Sequence, residues 1–203
     1  MMRVLILAAA LSILGGCATT TSAPRSGVAV APYRDSVELA GRIAINYSRD
    51  GKQESLNGKF TWQQSKANTD VSLISPTGQI VAVINVTPSS ATLRQSGKEP
   101  RSAPDLDSLT TQTLGWTLPV SGLRDWLQGY ATARDGSRFV ATPANDTVIT
   151  PDGWKLDYVS WQEPLQGNGA AYSQPKRIDA TRIALGQAVD DMAIRIVIDP
   201  VAQ

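Results

Sequence analysis

The sequence predicts a mainly β protein in which an antiparallel sheet curls into a barrel. Three observations lead there. Runs of alternating apolar and polar residues recur along the chain. Turn-forming stretches such as Asp50-Gly51, Ser75-Pro76-Thr77-Gly78 and Asp152-Gly153 separate them at regular spacing. The two helical segments among them are short, and helices of that length need an apolar surface to lie against.

The first residues obey a different logic. Met1-Met2-Arg3 carries one positive charge, Val4 to Leu14 is an apolar run, and Gly15-Gly16-Cys17 follows. The run is too short to span a bilayer and has the layout of a secretory signal. Leu14-Gly15-Gly16-Cys17 matches a lipobox, so residues 1–16 are expected to be a signal peptide removed before Cys17. Cys17 is the only cysteine in the chain. A lone cysteine in an exported protein makes no internal disulfide, and acylation accounts for it. More than one acyl chain gives stable anchoring where one is marginal. Ala18 follows, and a residue other than Asp there resembles the signal for sorting to the outer membrane. Residues 17–34, rich in Thr, Ser, Ala and Pro, read as the lipidated N-terminus and a tether, with room for a short helix near Tyr33–Val37. Residues 35–203 are the expected domain.

Its elements follow in order. Val37, Leu39, Gly41, Ile43, Ile45 and Tyr47 alternate with Glu38, Arg42, Asn46 and Ser48, which is the period of a strand. After the Asp-Gly turn, Leu56, Gly58, Phe60 and Trp62 share one face, and Asn57, Lys59, Thr61 and Gln63 the other. Val71 and Leu73 continue the pattern up to the Ser75–Gly78 turn. Gln79–Val86 is a more continuous apolar strand, and Ala91–Gln95 a shorter one. Asp105 is placed to cap a helix carrying Leu106, Leu109, Thr113 and Leu114. Ser121 is placed to cap a second, with Leu123, Trp126 and Leu127 on one stripe and Gly129 at its end. Strands resume weakly at Phe139-Val140-Ala141, then clearly at Trp154, Leu156 and Tyr158. A further strand is expected within Pro175–Ile183, and the last at Ile194, Ile196 and Ile198.

Composition limits the chemistry. Without residues 1–16 the chain keeps 187 of its 203 residues and loses Arg3, leaving 18 basic against 18 acidic residues. That length suits one domain with a real core. A neutral chain has no field to draw nucleic acid. There is no histidine at all, which excludes Ser-His-Asp and Cys-His nucleophile pairs and the common zinc sites. A carboxylate-only hydrolase or a Ser-Lys pair stays open, though no signature marks either; taken with the resemblance given next, the expectation is a non-enzyme with no cofactor and no metal.

Several blocks of this sequence resemble the LolB family of outer-membrane lipoprotein receptors. They are Gly41-Arg42-Ile43-Ala44, Phe60-Thr61-Trp62-Gln63-Gln64, Ser75-Pro76-Thr77-Gly78-Gln79, the long block from Leu114-Gly115-Trp116-Thr117-Leu118-Pro119-Val120 through Gly129, Asp152-Gly153-Trp154, Pro175-Lys176-Arg177-Ile178 and Ile194 through Asp199. The resemblance implies an unclosed antiparallel β-barrel with a lid of short helices over an apolar cavity. It implies a receptor, monomeric, that takes lipoproteins from the periplasmic carrier LolA by their acyl chains and places them in the outer membrane, facing the periplasm, without nucleotide or metal. On that view the acyl-chain cavity is lined by Phe60, Trp62, Leu73, Trp116, Leu123, Trp126, Leu127, Trp154 and Ile196; the other reading of each is a filler of a closed core. The family's membrane-insertion loop falls on Pro76, Thr77, Gly78 and Ile80. Thr77 stands where a leucine is usual, so three readings stay open: Ile80 or Val81 takes the apolar contact, the contact is weaker, or the segment is an ordinary hairpin turn. Arg124, Arg177 and Arg195 are read as solvated charges without a role. Two rival readings stay open: an envelope lipoprotein that is a structural or assembly subunit gripping a protein partner, and a hydrolase using carboxylates or a Ser-Lys pair.

Overall fold

A computed structural model describes residues 27–49, 51–114, 120–162, 172–183 and 192–200. The signal segment, Cys17, Trp116 and the Gly167-Asn168-Gly169 loop expected from the sequence lie outside these residues.

The strands, in chain order, are β1 (Val37–Arg49), β2 (Lys52–Gln64), β3 (Thr69–Ile74), β4 (Ile80–Thr87), β5 (Ser90–Gln95) and β6 (Arg101–Ala103). Two helices follow, α1 (Leu106–Leu114) and α2 (Val120–Trp126). Then come β7 (Tyr130–Thr132), β8 (Arg138–Val140), β9 (Thr147–Ile149), β10 (Trp154–Gln162), β11 (Gln174–Arg182) and β12 (Ala193–Ile198). Ten strands form one antiparallel sheet in the order β6-β5-β4-β3-β2-β1-β12-β11-β10-β9, and β7 and β8 make a separate ribbon. The sheet is curved but not closed, since β6 and β9 are its two edges. Among the described residues no helix is long and apolar enough to cross a membrane.

The alternation read from the sequence becomes the two faces of this sheet. Val37, Ile45 and Tyr47 of β1 and Phe60 and Trp62 of β2 are buried, while Arg42, Asn46, Lys59 and Gln63 are exposed. Gly41 is there for contact rather than conformation. A Cβ on it would lie 2.3 Å from the Val197 carbonyl oxygen and 2.9 Å from Cε1 of Phe60, so the Phe60 ring lies where a side chain would stand. In β10, the register slips between Tyr158 and Ser160 and again before Trp161. This bulge breaks the period of two. It lets Tyr158 and Trp161, three apart in sequence, stack at 6.0 Å, and Phe139 also stacks with Tyr158 at 6.2 Å.

Buried polar groups find partners. Trp62 Nε1 donates to Gln64 Oε1 at 3.2 Å, and Gln64 Nε2 donates to the Tyr33 hydroxyl at 3.1 Å. The Tyr158 hydroxyl faces the Trp126 carbonyl at 3.3 Å, and burial pushes its pKa above the usual tyrosine value.

Three expectations change. No helix forms near Tyr33–Val37; the chain there is irregular until β1 begins, and the Tyr33 ring meets Tyr130 edge-on at 5.7 Å. The stretch assigned to a tether is docked from Val28 onward. Val30 is buried, its N–H donates to the Ala141 carbonyl at 3.3 Å, and the Ser173 hydroxyl donates to the Val28 carbonyl at 2.7 Å. Ser121 lies inside α2 rather than ahead of it, and the capping carboxylate comes from α1: Asp107 accepts from the Ser121 hydroxyl at 2.8 Å and from its N–H at 3.4 Å. Strands β6, β7 and β9, each three residues long, carry too little alternation to be read from sequence.

Candidate functional site

The concave face of the sheet and the two helices enclose an apolar cavity of about 260 Å³, near the lower end of small-ligand pockets at roughly 300–1,000 Å³. The sheet side is built from alternate residues of neighbouring strands. Phe60 and Leu73 are direct cross-strand partners, as are Trp62 and Val71, and Val71 and Ile84. Ile43 and Ile45 of β1, Ile196 of β12, Ala82 of β4 and Leu93 of β5 complete that wall. The helices close the other side with Leu106 and Leu109 from α1, Leu123 from α2 and Leu127 just after it.

Two threonines of α1 also face the cavity. Their hydroxyls turn back onto the helix, Thr110 to the Asp107 carbonyl at 2.9 Å and Thr113 to the Leu109 carbonyl at 2.8 Å. The lining therefore keeps little unsatisfied polarity. Leu56 and Val81 line the mouth and are 45% and 43% exposed, so apolar surface continues from the interior to the rim.

Polar contacts hold the helices over this space. Asp105 caps α1, accepting from the Ser108 N–H at 2.7 Å and its hydroxyl at 2.9 Å. The N–H bond first and the hydroxyl second hold the Asp105 carboxyl below the usual carboxylate range. Arg124 donates to Thr69 Oγ1 and to the Ser65 carbonyl, both at 2.8 Å, tying α2 to the end of the β2–β3 hairpin. Gln128 exchanges two bonds of 3.0 Å with the Arg34 backbone. Gly129 ends this segment at φ +83°, with its N–H on the Trp126 carbonyl at 3.0 Å.

Of the residues singled out for the cavity, Phe60, Trp62, Leu73, Leu123, Leu127 and Ile196 are together on its wall. Trp126 and Trp154 are not. They face each other at 6.3 Å, 4% and 0% exposed, in a closed part of the core beside the cavity. Gly122 lies under the Trp126 indole, where a Cβ would sit 2.7 Å from the ring. The Arg182 guanidinium covers Trp154 at 5.5 Å. Their helical and strand periodicity said only that they face inward. Sequence reasoning did not pick Ile43, Ile45, Ala82, Ile84 or Leu93, although the same alternation marks their face. It read Arg124 as a solvated charge without a role, whereas Arg124 is half-buried and bonded to partners in the β2–β3 hairpin more than fifty positions away in sequence.

The second feature is the β3–β4 turn. Gly78 adopts φ +88°, its N–H donates to the Ser75 carbonyl at 2.9 Å, and the Ser75 N–H donates to the Gln79 carbonyl at 2.8 Å. Pro76, Thr77 and Gly78 are all exposed. The Thr77 hydroxyl shares a bond of 2.8 Å with the Ser75 hydroxyl. Ile80, 59% exposed, is the most exposed large hydrophobic side chain among the described residues, and Val81 follows it. An apolar projection thus stands beside the apolar mouth.

The model of the family "Outer membrane lipoprotein LolB" matches residues 35–200. An outer-membrane lipoprotein LolB of Cupriavidus pinatubonensis is 38% identical over 189 residues, which is 93% of this chain and 89% of that one. That of Cupriavidus necator is 39% identical over 166 residues, 81% and 80% of the two chains. That of Ralstonia nicotianae is 33% identical over 201 residues, 96% and 94% of the two chains.

Proposed function

Because this chain belongs to the LolB family of outer-membrane lipoproteins, we propose that it accepts lipoproteins from the carrier LolA by their acyl chains and inserts them into the outer membrane. The observation that carries this reading is the cavity: an apolar space under two short helices, opening through apolar residues at Leu56 and Val81. Each acyl methylene removed from water is worth about 0.8 kcal/mol, so a chain released into the periplasm has a strong drive to enter such a space. Onward movement needs only a gradient of affinities from carrier to receptor to bilayer, with no fuel and no bond made or broken. No catalysis is part of this reading.

Each part has a place in the transfer. Phe60, Trp62, Leu73, Leu123, Leu127 and Ile196 contact the guest chain. The α1–α2 segment, fixed by polar contacts around its edge, opens without exposing charges to the guest. The β3–β4 turn meets the bilayer, with Ile80 and Val81 as its apolar contacts in place of Thr77. Acylated Cys17, in the sequence ahead of the described residues, keeps the domain at the membrane where clients are delivered.

The test is a transfer assay. LolA loaded with a radiolabelled lipoprotein is mixed with this protein, and the label is followed into a complex with it and then into outer-membrane vesicles. Label that stays on the carrier refutes the reading. Transfer that survives charged substitutions at Leu73 and Leu127 would show that the cavity is not its route.

A further inference from the structure

The outer face of the sheet carries a basic groove that the cavity does not use. Arg42 on β1 and Lys59 on β2 stand directly opposite one another, and both are exposed. Like charges so placed destabilise a strand pair. Arg195, whose partner on β1 is Ala44, adds a third cation beside them. Together they border a shallow groove of about 500 Å³ that also touches Asn57 and Pro76. Among the described residues no carboxylate lines it.

Two acids lie nearby and do not balance it. Asp199 is 3.9 Å from Arg42, with the two side chains 48% and 65% exposed, a contact that solvent screens. Asp179 meets Arg195 Nε at 3.3 Å but is already gripped by Arg177, whose Nε donates to it at 2.9 Å. Burial works to raise the Asp179 pKa; the bonds from Arg177 and Arg195 outweigh it and hold the carboxyl low, so this acid keeps one charge among four cations and two carboxylates.

The groove's place gives it a direction. Pro76 belongs to the β3–β4 turn, and residues Asn57 to Lys59 border both the groove and the cavity mouth. One stretch of β2 therefore has basic groups on one side and apolar Leu56 and Val81 on the other, with exposed Ile80 beside them. Surfaces that lie in a bilayer interface pair an apolar edge that enters the acyl region with cations held at the level of the phosphates.

We propose that the Arg42–Lys59–Arg195 groove binds the anionic phosphates of membrane lipid headgroups, and thereby presents the β3–β4 turn and the cavity mouth to the bilayer. This rests on the membrane-delivery reading above and adds to it the headgroup chemistry that orients the domain.

The test uses the full lipidated chain in vesicles. Cys17 is the only cysteine and is acylated in this reading, so Gln79→Cys supplies one free thiol for an environment-sensitive fluorophore. Quenching by spin-labelled lipid is compared in phosphatidylcholine vesicles and in vesicles containing added phosphatidylglycerol. Quenching should rise with phosphatidylglycerol and fall with salt. With Arg42→Gln and Lys59→Gln together, two surface substitutions, the ratio of docked to undocked turn should drop about thirty-fold. Quenching that ignores both headgroup charge and this double substitution overturns the groove and leaves the turn's membrane contact standing. Absence of quenching in either lipid overturns both. Unchanged quenching with slower transfer from the carrier assigns the groove to an acidic protein surface and equally overturns the lipid assignment.

Discussion

Replacing Ala82 with leucine sets the cavity as a lipid site against the cavity as a gap in the core. Ala82 is 5% exposed, faces the cavity from β4, and stands between Leu73 on β3 and Gln95 on β5. Leucine adds three carbons, and 260 Å³ is available to receive them. An acyl chain then gives up contact for about three methylenes, each worth about 0.8 kcal/mol. The loss is about 2.4 kcal/mol, or roughly 60-fold in affinity. Folding should move the other way, because filling a void commonly adds about 0.5–2 kcal/mol. Displacement of an apolar dye by a fatty acid gives the affinity, and thermal unfolding gives the stability. A variant that melts higher and binds acyl chains as tightly as before would refute the reasoning, since the guest would then occupy some other space.

Other substitutions test the surrounding parts. Arg124→Met removes two charge-assisted bonds from a half-buried site, and should loosen α2 by about 2 kcal/mol, seen as faster hydrogen exchange in α2 with β1 and β2 unchanged. The Asp105 carboxyl is held low in the folded protein, so its stabilisation of α1 is present above about pH 4 and is lost as pH falls through the lowered value. Exchange at Ser108 should accelerate over that window, and Asp105→Asn should abolish the pH dependence. Gly129→Ala combines a φ of +83° with a Cβ 2.5 Å from Val30 Cγ1 and should cost about 1–3 kcal/mol, measured by denaturant unfolding. Ile80→Glu should slow delivery into vesicles about ten-fold, from the lost burial of one large apolar side chain. Thr77→Glu should do less, and equal effects would mean the turn meets the membrane through its tip.

The long strands were legible because each residue of β1 and β2 votes for the same alternation, and thirteen-residue strands give many votes. The three-residue strands β6, β7 and β9 are fixed by their neighbours instead, and nothing local distinguishes them from turns. The faces were legible for the same reason as the strands, which placed Phe60, Trp62, Leu73 and Ile196 on one wall. What alternation does not contain is depth along the barrel. Trp154 and Trp62 look alike in sequence, yet Trp62 borders open space while Trp154 is sealed against Trp126 and under Arg182. The passing of a capping role from Ser121 to Asp107 was illegible because α1 supplies the carboxylate that caps α2 across a gap in sequence, and local capping rules see one helix at a time.

Among the described residues β6 and β9 are the two edges of the sheet, and on the proposed reading they set how the interior responds to a guest. In a closed barrel the girth follows from strand number and stagger, and widening it means breaking ladder bonds. Here the ladder of the described strands ends at β6 and β9, so the sheet can open further while all nine pairings between neighbouring strands stay intact. The cost of swelling falls on side-chain contacts and on the few polar bonds around the helices rather than on the backbone. On the proposed reading, a container built this way is sized by its contents, and one sequence serves cargoes whose hydrocarbon differs in bulk.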